Sequence, residues 1–102
     1  MSEQTTQQDN TLLTMLKTDL GILSTTLYDE RLLSYLASAA ESIRQEGAAS
    51  ISPSSPLDAQ LIVMYAAWLW RKRDSMEGMP RMLRWQLNNR IFSEKAKVSS
   101  DG

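Results

Sequence analysis

Cysteine and histidine are both missing from this 102-residue sequence, and their absence excludes several kinds of chemistry. Without cysteine the chain can form neither a disulfide nor a thiolate site for zinc. Without histidine it lacks the usual general base, the partner that activates a serine nucleophile, and the commonest metal ligand. The four glycines are isolated from one another, so no phosphate-binding glycine loop is formed. The sequence therefore predicts a protein that is not an enzyme and that uses no metal or cofactor.

Carboxylate pairs are the remaining catalytic candidates, and their positions favour structural roles. Asp29 and Glu30 stand at the predicted start of a helix, where capping and the helix dipole favour acidic side chains. Glu41 and Glu46 fall on the predicted solvent face of the same helix. We therefore expect no catalytic carboxylate.

The longest apolar run is too short to cross a membrane. It covers ten residues, Leu61 to Trp70, whereas a bilayer-spanning helix needs roughly 20. Pro56 at the first helical position, a possible capping box over Ser55 to Asp58 and the basic cluster Arg71 to Arg73 are typical of helix ends. The segment from Leu57 to Arg73 is thus predicted to be a central helix, buried by the rest of the chain or by another subunit.

Three further helices are predicted around this central one. The first begins near Thr11 and ends at Gly21, the second runs from Asp29 to Glu46, and the third opens at Pro80 and continues to about Ser93. The expected fold class is all-α, a small bundle of about four helices around the buried central helix at about 57–73.

The expected domain organisation is a single helical domain at residues 10–93. Residues 1–9 are polar and are predicted to be a disordered tail, and residues 94–102 a flexible one. The first residues also lack the pattern of a signal peptide, so we expect a soluble protein. Residues 48–56 form a serine- and proline-rich loop, which either packs Ile51 onto the core or projects as an interaction loop.

Charge is distributed unevenly along the chain. Residues 1–58 contain three basic and eight acidic side chains, whereas residues 71–97 contain eight basic and three acidic ones. A subunit with this polarity can bind an anionic partner through its basic end, or it can bind a copy of itself head to tail.

Tryptophan, arginine and asparagine are concentrated between residues 68 and 92, at and within this basic segment. Trp68 and Trp70 are about 200° apart on a helix, so at least one of them is expected in the core. Exposed tryptophan and arginine are enriched in binding hot spots. The predicted subunit- or partner-binding residues are Trp70, Arg71, Arg73, Arg81, Arg84, Trp85, Asn88, Asn89, Arg90 and Phe92.

Three stretches carry a resemblance to a known family. They are D-x-x-L-L-x-x-L-x-x-A-A at Asp29 to Ala40, W-L-W-R-K-R at Trp68 to Arg73, and M-P-R-M-L-R-W-Q-L-N-N-R at Met79 to Arg90. Over roughly residues 12–92 the chain resembles the head-tail connector, or adaptor, proteins of tailed bacteriophages and prophages, which are often described as possible DNA-packaging proteins.

The resemblance implies a structural virion protein that forms a homo-oligomeric ring beneath the portal protein. Such a ring extends the DNA channel without sequence-specific DNA binding, and it offers a platform for a stopper or tail-completion protein. The implied location is the head-tail interface of the virion, after synthesis in the cytoplasm of the bacterial host, with no membrane partner.

Two other functional classes stay open on the sequence. A small helical DNA-binding or regulatory protein could use the basic last helix, and its binding to duplex DNA would depend steeply on salt. A helical accessory protein of an enzyme or of a toxin-antitoxin pair has no specific support in the residues.

Overall fold

The computed structural model describes the backbone from Ser2 to Asp101 and the side chains from Asp9 to Lys97. Over this range it contains four helices and no strand: α1 (Ser2–Leu20), α2 (Asp29–Glu46), α3 (Pro56–Lys72) and α4 (Arg81–Asp101). The predicted all-α bundle is therefore confirmed. Each predicted helix corresponds to one helix of the structure.

Helix α3 is the centre of the bundle, as its uninterrupted apolar run predicts. The other three helices all pack against it. Because α3 has almost no polar face, every side of its middle turns needs a neighbour. The residues that its neighbours bury are Ala59, Leu61, Ile62, Val63, Tyr65, Ala66 and Ala67.

The first two helices cover α3 with single apolar stripes. In the part of α1 whose side chains are described, the buried apolar residues are Leu12 and Leu16. In α2 the buried residues recur at helical spacing, as predicted: Leu32, Leu36, Ala39 and Ile43. Ile51, in the loop after α2, is also buried, so this loop packs onto the core.

Glycine ends both α1 and α2 with the same hydrogen-bonded turn. After α1, the Gly21 amide donates to the carbonyl of Thr18 at 3.2 Å, and the Ile22 amide donates to the carbonyl of Lys17 at 3.0 Å. Gly47 repeats this pair of bonds after α2, and the two glycines have φ angles of 75° and 137°. This pattern satisfies carbonyls that the helix leaves free, and it requires a residue that accepts positive φ.

The predicted capping side chains act differently in the structure. Asp29 is the first residue of α2 and not its cap; its carboxylate lies 2.9 Å from the ammonium of Lys17. Lys17 is only 7% exposed, so its charge requires a nearby counter-charge. Ser55 does precede α3, but it makes no side-chain capping bond. Asp58 is turned instead towards the guanidinium of Arg90, a stronger, charged donor.

The outer helices are longer than predicted. Helix α1 begins at Ser2 and α4 ends at Asp101, because neither segment contains a proline or glycine that would stop helix propagation. The backbone of the two predicted tails is thus helical over most of its length. Their side chains at positions 1–8 and 98–102 lie outside the described residues.

The two half-buried tryptophans of α3 point to different neighbours, as their spacing predicts. The Trp68 indole donates a hydrogen bond of 3.1 Å to the carbonyl of Gly78 in the α3–α4 connection. The Trp70 ring makes edge contacts with Tyr28 and Tyr35, with centroids 5.2 and 6.2 Å apart. Both tryptophans pack against the core.

The assembled bundle is flat, with principal extents of 48 × 38 × 17 Å. Its radius of gyration is 14.2 Å, against about 13 Å for a compact domain of this length. A flat arrangement leaves more of each outer helix uncovered than a compact one does.

Candidate interaction surface on helix α4

Helix α4 carries two apolar stripes on opposite sides. The inward stripe contains Leu83 and Leu87, which are 1% and 0% exposed. The outward stripe contains Met82, Trp85 and Phe92, which are 58%, 60% and 73% exposed. An ordinary surface helix has one apolar stripe, facing the core.

The outward stripe is continuous along the helix. Met82, Trp85, Asn89 and Phe92 follow one another at intervals of three or four residues, which places them on one face. We call these four residues the α4 outer face. In the described part of the chain nothing covers them.

The α4 outer face continues onto the start of α3 through a groove. This groove has a volume of about 380 Å³, and its walls include Leu57, Leu61, Trp85 and Asn89. Leu57 is 78% exposed although it belongs to the first turn of the most buried helix. A side chain from another molecule could therefore contact Leu57 and Trp85 together.

Exposed cations flank this surface. Arg81 and Lys95 form no ion pair with any residue whose side chain the structure describes. Arg84 pairs with Glu46 of α2 at 3.0 Å, and it lies 3.5 Å from the amide oxygen of Asn88. Because both partners of the Arg84 pair are well exposed, water and salt weaken this pair.

Arg90, one of the predicted binding residues, does not belong to the exposed surface. Its side chain is 15% exposed and its guanidinium binds three groups of the same chain. It donates to Asp58 Oδ1 at 2.8 Å, to Glu94 Oε1 at 3.0 Å and to the hydroxyl of Ser50 at 3.1 Å. We call Arg90, Asp58, Glu94 and Ser50 the Arg90 network; it joins α3, α4 and the 48–56 loop.

Further hydrogen bonds tie the Arg90 network to the loop before α3, among them one of 3.2 Å from the amide of Ser50 to Glu94 Oε1. Asp58 accepts the amide of Ser52 at 3.1 Å, and Glu94 accepts the hydroxyl of Ser50 at 2.6 Å. Hydrogen bonding by the Ser50 hydroxyl and amide lowers the pKa of Glu94, and Arg90 adds to that shift. The predicted boundary between domain and tail at residue 93 therefore falls inside a folded contact, because Glu94 is tied to the loop before α3.

Acid should weaken the Arg90 network. A carboxyl whose pKa is lowered by folding stabilises the fold fully above its ordinary pKa, 4.5 for glutamate here, and loses that effect as the pH falls through the lower folded value. We expect the urea midpoint of the wild type to fall over this acidic range, and to fall less in Glu94→Gln. Glu30→Gln, at an exposed position, is the control. Equal acid dependence in Glu94→Gln and wild type would contradict the expected role of Glu94.

The remaining predicted binding residues lie at the carboxyl end of α3 and contact the chain itself. The Arg73 guanidinium stacks 3.5 Å from the centre of the Trp70 ring and donates to the Trp70 carbonyl at 2.8 Å. Arg71 lies 3.5 Å from the carboxylate of Asp19 in α1. The structure thus does not bring Trp70, Arg71 and Arg73 onto the α4 outer face.

Sequence reasoning missed several exposed apolar residues. Leu57 was included in the central helix, but its first-turn position leaves it uncovered. Leu23, Leu27 and Tyr28, around the turn between α1 and α2, are 56%, 77% and 38% exposed. A signal for them was available, since these large apolar residues fall in a segment that lies outside the helical apolar stripes.

The fold and its surface define a small helical protein with an apolar, cation-flanked face that none of the side chains described, from Asp9 to Lys97, covers. No family model, curated protein or solved structure matches the chain. Among the residues described, no three carboxylates are grouped closely enough to hold a metal ion. No described helix combines the length and the hydropathy required to span a membrane.

Proposed function

We propose that this protein is a structural assembly subunit of the head-tail connector type. The observation that carries the proposal is the α4 outer face, where Met82, Trp85 and Phe92 are exposed on a helix whose opposite side is fully packed. Large apolar and aromatic side chains in such a row are typical of a protein-binding surface. The resemblance described above supplies the specific assembly, a ring on the portal.

The flat shape and the uneven charge support the same proposal. A subunit that completes its packing with neighbours can leave both apolar surface and charge exposed when alone. The flanking Arg81 and Lys95 would raise the rate of association with an acidic surface.

The alternative function, DNA binding through α4, has less support in these contacts than in the sequence. Arg84 and Arg90 are two of the five basic residues between Arg81 and Lys97, and both form ion pairs inside the chain. Each paired arginine is less available to a phosphate. The face with the largest aromatic side chains is also the least charged part of the helix.

The test is assembly with the portal protein encoded in the same genome. We expect the purified chain to add a ring to portal particles, visible by electron microscopy and by an increase in mass. Trp85→Asp combined with Phe92→Asp should abolish this addition, because two apolar contacts become charged. Met76→Asp is the matched control, since Met76 is fully exposed but lies in the α3–α4 connection.

Two results would count against the connector. One is a wild-type chain that binds neither itself nor the portal. The other is a chain that shifts duplex DNA with a steep loss of affinity as salt rises, which is the behaviour of the DNA-binding alternative.

A further inference from the structure

Three of the five cations in residues 81–97 have no ion-pair partner among the side chains that the structure describes. They are Arg81, Lys95 and Lys97, whereas Arg84 and Arg90 form the ion pairs given above. The single carboxylate of this segment belongs to the Arg90 network and is turned inward. A molecule that covers the α4 outer face therefore meets positive charge that no carboxylate of α4 neutralises.

The carboxylates that reach α4 from other elements are already paired. Glu46, at the end of α2, lies 3.0 Å from Arg84, and Asp58, at the start of α3, lies 2.8 Å from Arg90. Glu77, in the connection before α4, is the one further carboxylate close to the helix in sequence without a cation beside it in the described structure. Counting it still leaves three unpaired cations against one carboxylate, so the local charge favours an acidic partner.

The two edges of the α4 outer face differ in charge. Arg81 and Lys95 are fourteen residues apart, close to four helical turns, so they lie on the same side of α4. Gln86 and Ser93, seven residues apart, lie on the other side and line the groove. Their side chains are neutral, and they form no hydrogen bond with another side chain that the structure describes. Lys97 stands beyond Ser93, past the end of the groove.

The shape of this surface fits a helix better than an extended peptide. The row from Met82 to Phe92 rises about 15 Å, which is close to three helical turns, and the groove lies beside it. Apolar side chains at positions i, i+3 or i+4, and i+7 of a second helix can pack against such a row. An extended peptide needs a free strand or an aromatic-lined groove; the described chain has no strand, and Trp85 is the one aromatic residue lining this groove.

We propose that the α4 outer face binds an amphipathic helix of another protein, with carboxylates along one flank of its apolar stripe. The inference rests on the proposed assembly function and gives the chemistry of the partner. The acidic flank faces Arg81 and Lys95, the neutral flank faces Gln86 and Ser93, and an apolar side chain enters the groove beside Trp85. Because reversing a helix exchanges its two flanks, this one-sided charge also determines the direction in which the partner helix lies.

The test uses three synthetic helical peptides of about 18 residues that share one leucine stripe. Two have glutamate on one flank and glutamine on the other, with the flanks exchanged between them; in the third, lysine replaces glutamate. Fluorescence anisotropy of labelled peptides should show that the full chain binds both glutamate peptides and binds the lysine peptide at least about 10-fold more weakly. Trp85→Asp should weaken binding at least about 30-fold, the effect of losing a hot spot.

Reversing the charge of the chain should reverse its choice of peptide. Arg81→Glu with Lys95→Glu should prefer the lysine peptide to the glutamate peptides. Arg31→Glu with Arg71→Glu is the matched control, because it changes the net charge equally at positions outside α4, and it should bind like the wild type. Circular dichroism checks that each variant keeps its helices.

The direction of binding gives a second readout. A spin label at the amino end of one glutamate peptide should broaden the amide signals of α4 near Arg81, and the same label on the other glutamate peptide should broaden those near Lys95. Broadening at the same end with both peptides would mean that the two edges are not distinguished, which contradicts the one-sided charge of the proposal.

Four other results would overturn the inference. Equal binding of glutamate and lysine peptides would show that charge does not select the partner. Binding to vesicles of anionic lipid that the glutamate peptides do not inhibit would assign the face to a membrane. Self-association that Trp85→Asp abolishes and the peptides do not inhibit would assign it to a second copy.

The fourth result is that no peptide binds. If portal particles still gain a ring in that case, the proposed function stands without this inference. If the glutamate peptides bind but the portal gains no mass, the connector function fails and the preference for an acidic helix stands.

Discussion

Replacing Arg90 by methionine is expected to lower the free energy of unfolding by about 3 to 5 kcal/mol. The Asp58 side chain is 9% exposed, and without Arg90 its negative charge would have no cation beside it. Only the amide of Ser52 would still donate to it. Because domains of this size are stable by about 5 to 15 kcal/mol, the variant should unfold at a much lower urea concentration.

A double variant shows whether Arg90→Met destabilises the fold because the Asp58 carboxylate is left without a cation or because packing is lost. Arg90→Met with Asp58→Asn keeps an acceptor for Ser52 and removes the charge, so it should recover at least about 1 kcal/mol of the loss. Arg84→Met is the matched control on the same helix, because its ion pair with Glu46 is exposed, and it should cost at most about 1 kcal/mol. Equal losses in Arg84→Met and Arg90→Met would refute the structural role of Arg90.

Gly47→Ala is expected to have the second largest effect on stability, lowering the free energy of unfolding by about 2 to 5 kcal/mol. The residue has a φ of 137°, which is strained for any side chain. A methyl group there would also lie 2.9 Å from Cγ2 of Ile91, so the Ile91 side chain or helix α4 would have to shift. The expected cost adds about 1 to 2 kcal/mol of backbone strain to about 1 to 3 kcal/mol of overpacking. Thermal or urea unfolding measures it.

Gly21→Ala is the matched control, because it tests the strain of a side chain at positive φ without the steric contact. Gly21 also has positive φ, but an added methyl group would meet no atom within 4 Å. Its substitution should therefore cost only about 1 to 2 kcal/mol. In a protein that already carries Ile91→Ala, Gly47→Ala should lower the free energy of unfolding by the same amount as Gly21→Ala does in the wild type. A Gly47→Ala loss that does not depend on Ile91 would disprove the steric explanation.

The bundle was predictable from sequence because burial follows local periodicity. The run from Leu61 to Trp70 has no polar face, so it had to be central, and glycines at positions 21 and 47 had to end helices. Helix ends that no glycine or proline marks were harder to predict, because the helix can continue as long as its residues tolerate it. The end of α4 was predicted near Ser93, and the structure continues it to Asp101.

The Arg90 network was not predictable in this way. Asp58 and Arg90 are 32 residues apart, and Ser50 and Glu94 are 44 apart. In the sequence, Arg90 is one of several cations on an amphipathic helix, and Asp58 is an ordinary acidic residue in the first turn of a helix. Only the packing of α4 on α3 determines which of these cations is desolvated beside Asp58. Trp85, Phe92 and Arg90 were all predicted as binding residues from their residue type and their place in the basic segment, so the sequence could not separate the buried Arg90 from the two exposed aromatic residues.

The way in which α4 is attached has a consequence for local opening of the fold. Helices α1, α2 and α3 pack on one another, whereas α4 packs mainly on α3. Its inward side contributes Leu83 and Leu87 and, further along the same side, the Arg90 network. Such a helix can separate from the other three at a lower free energy than the whole domain unfolds. Amide hydrogens of α4 should then exchange with solvent sooner than those of α3. A molecule bound on the α4 outer face would slow that exchange by holding the helix to its core.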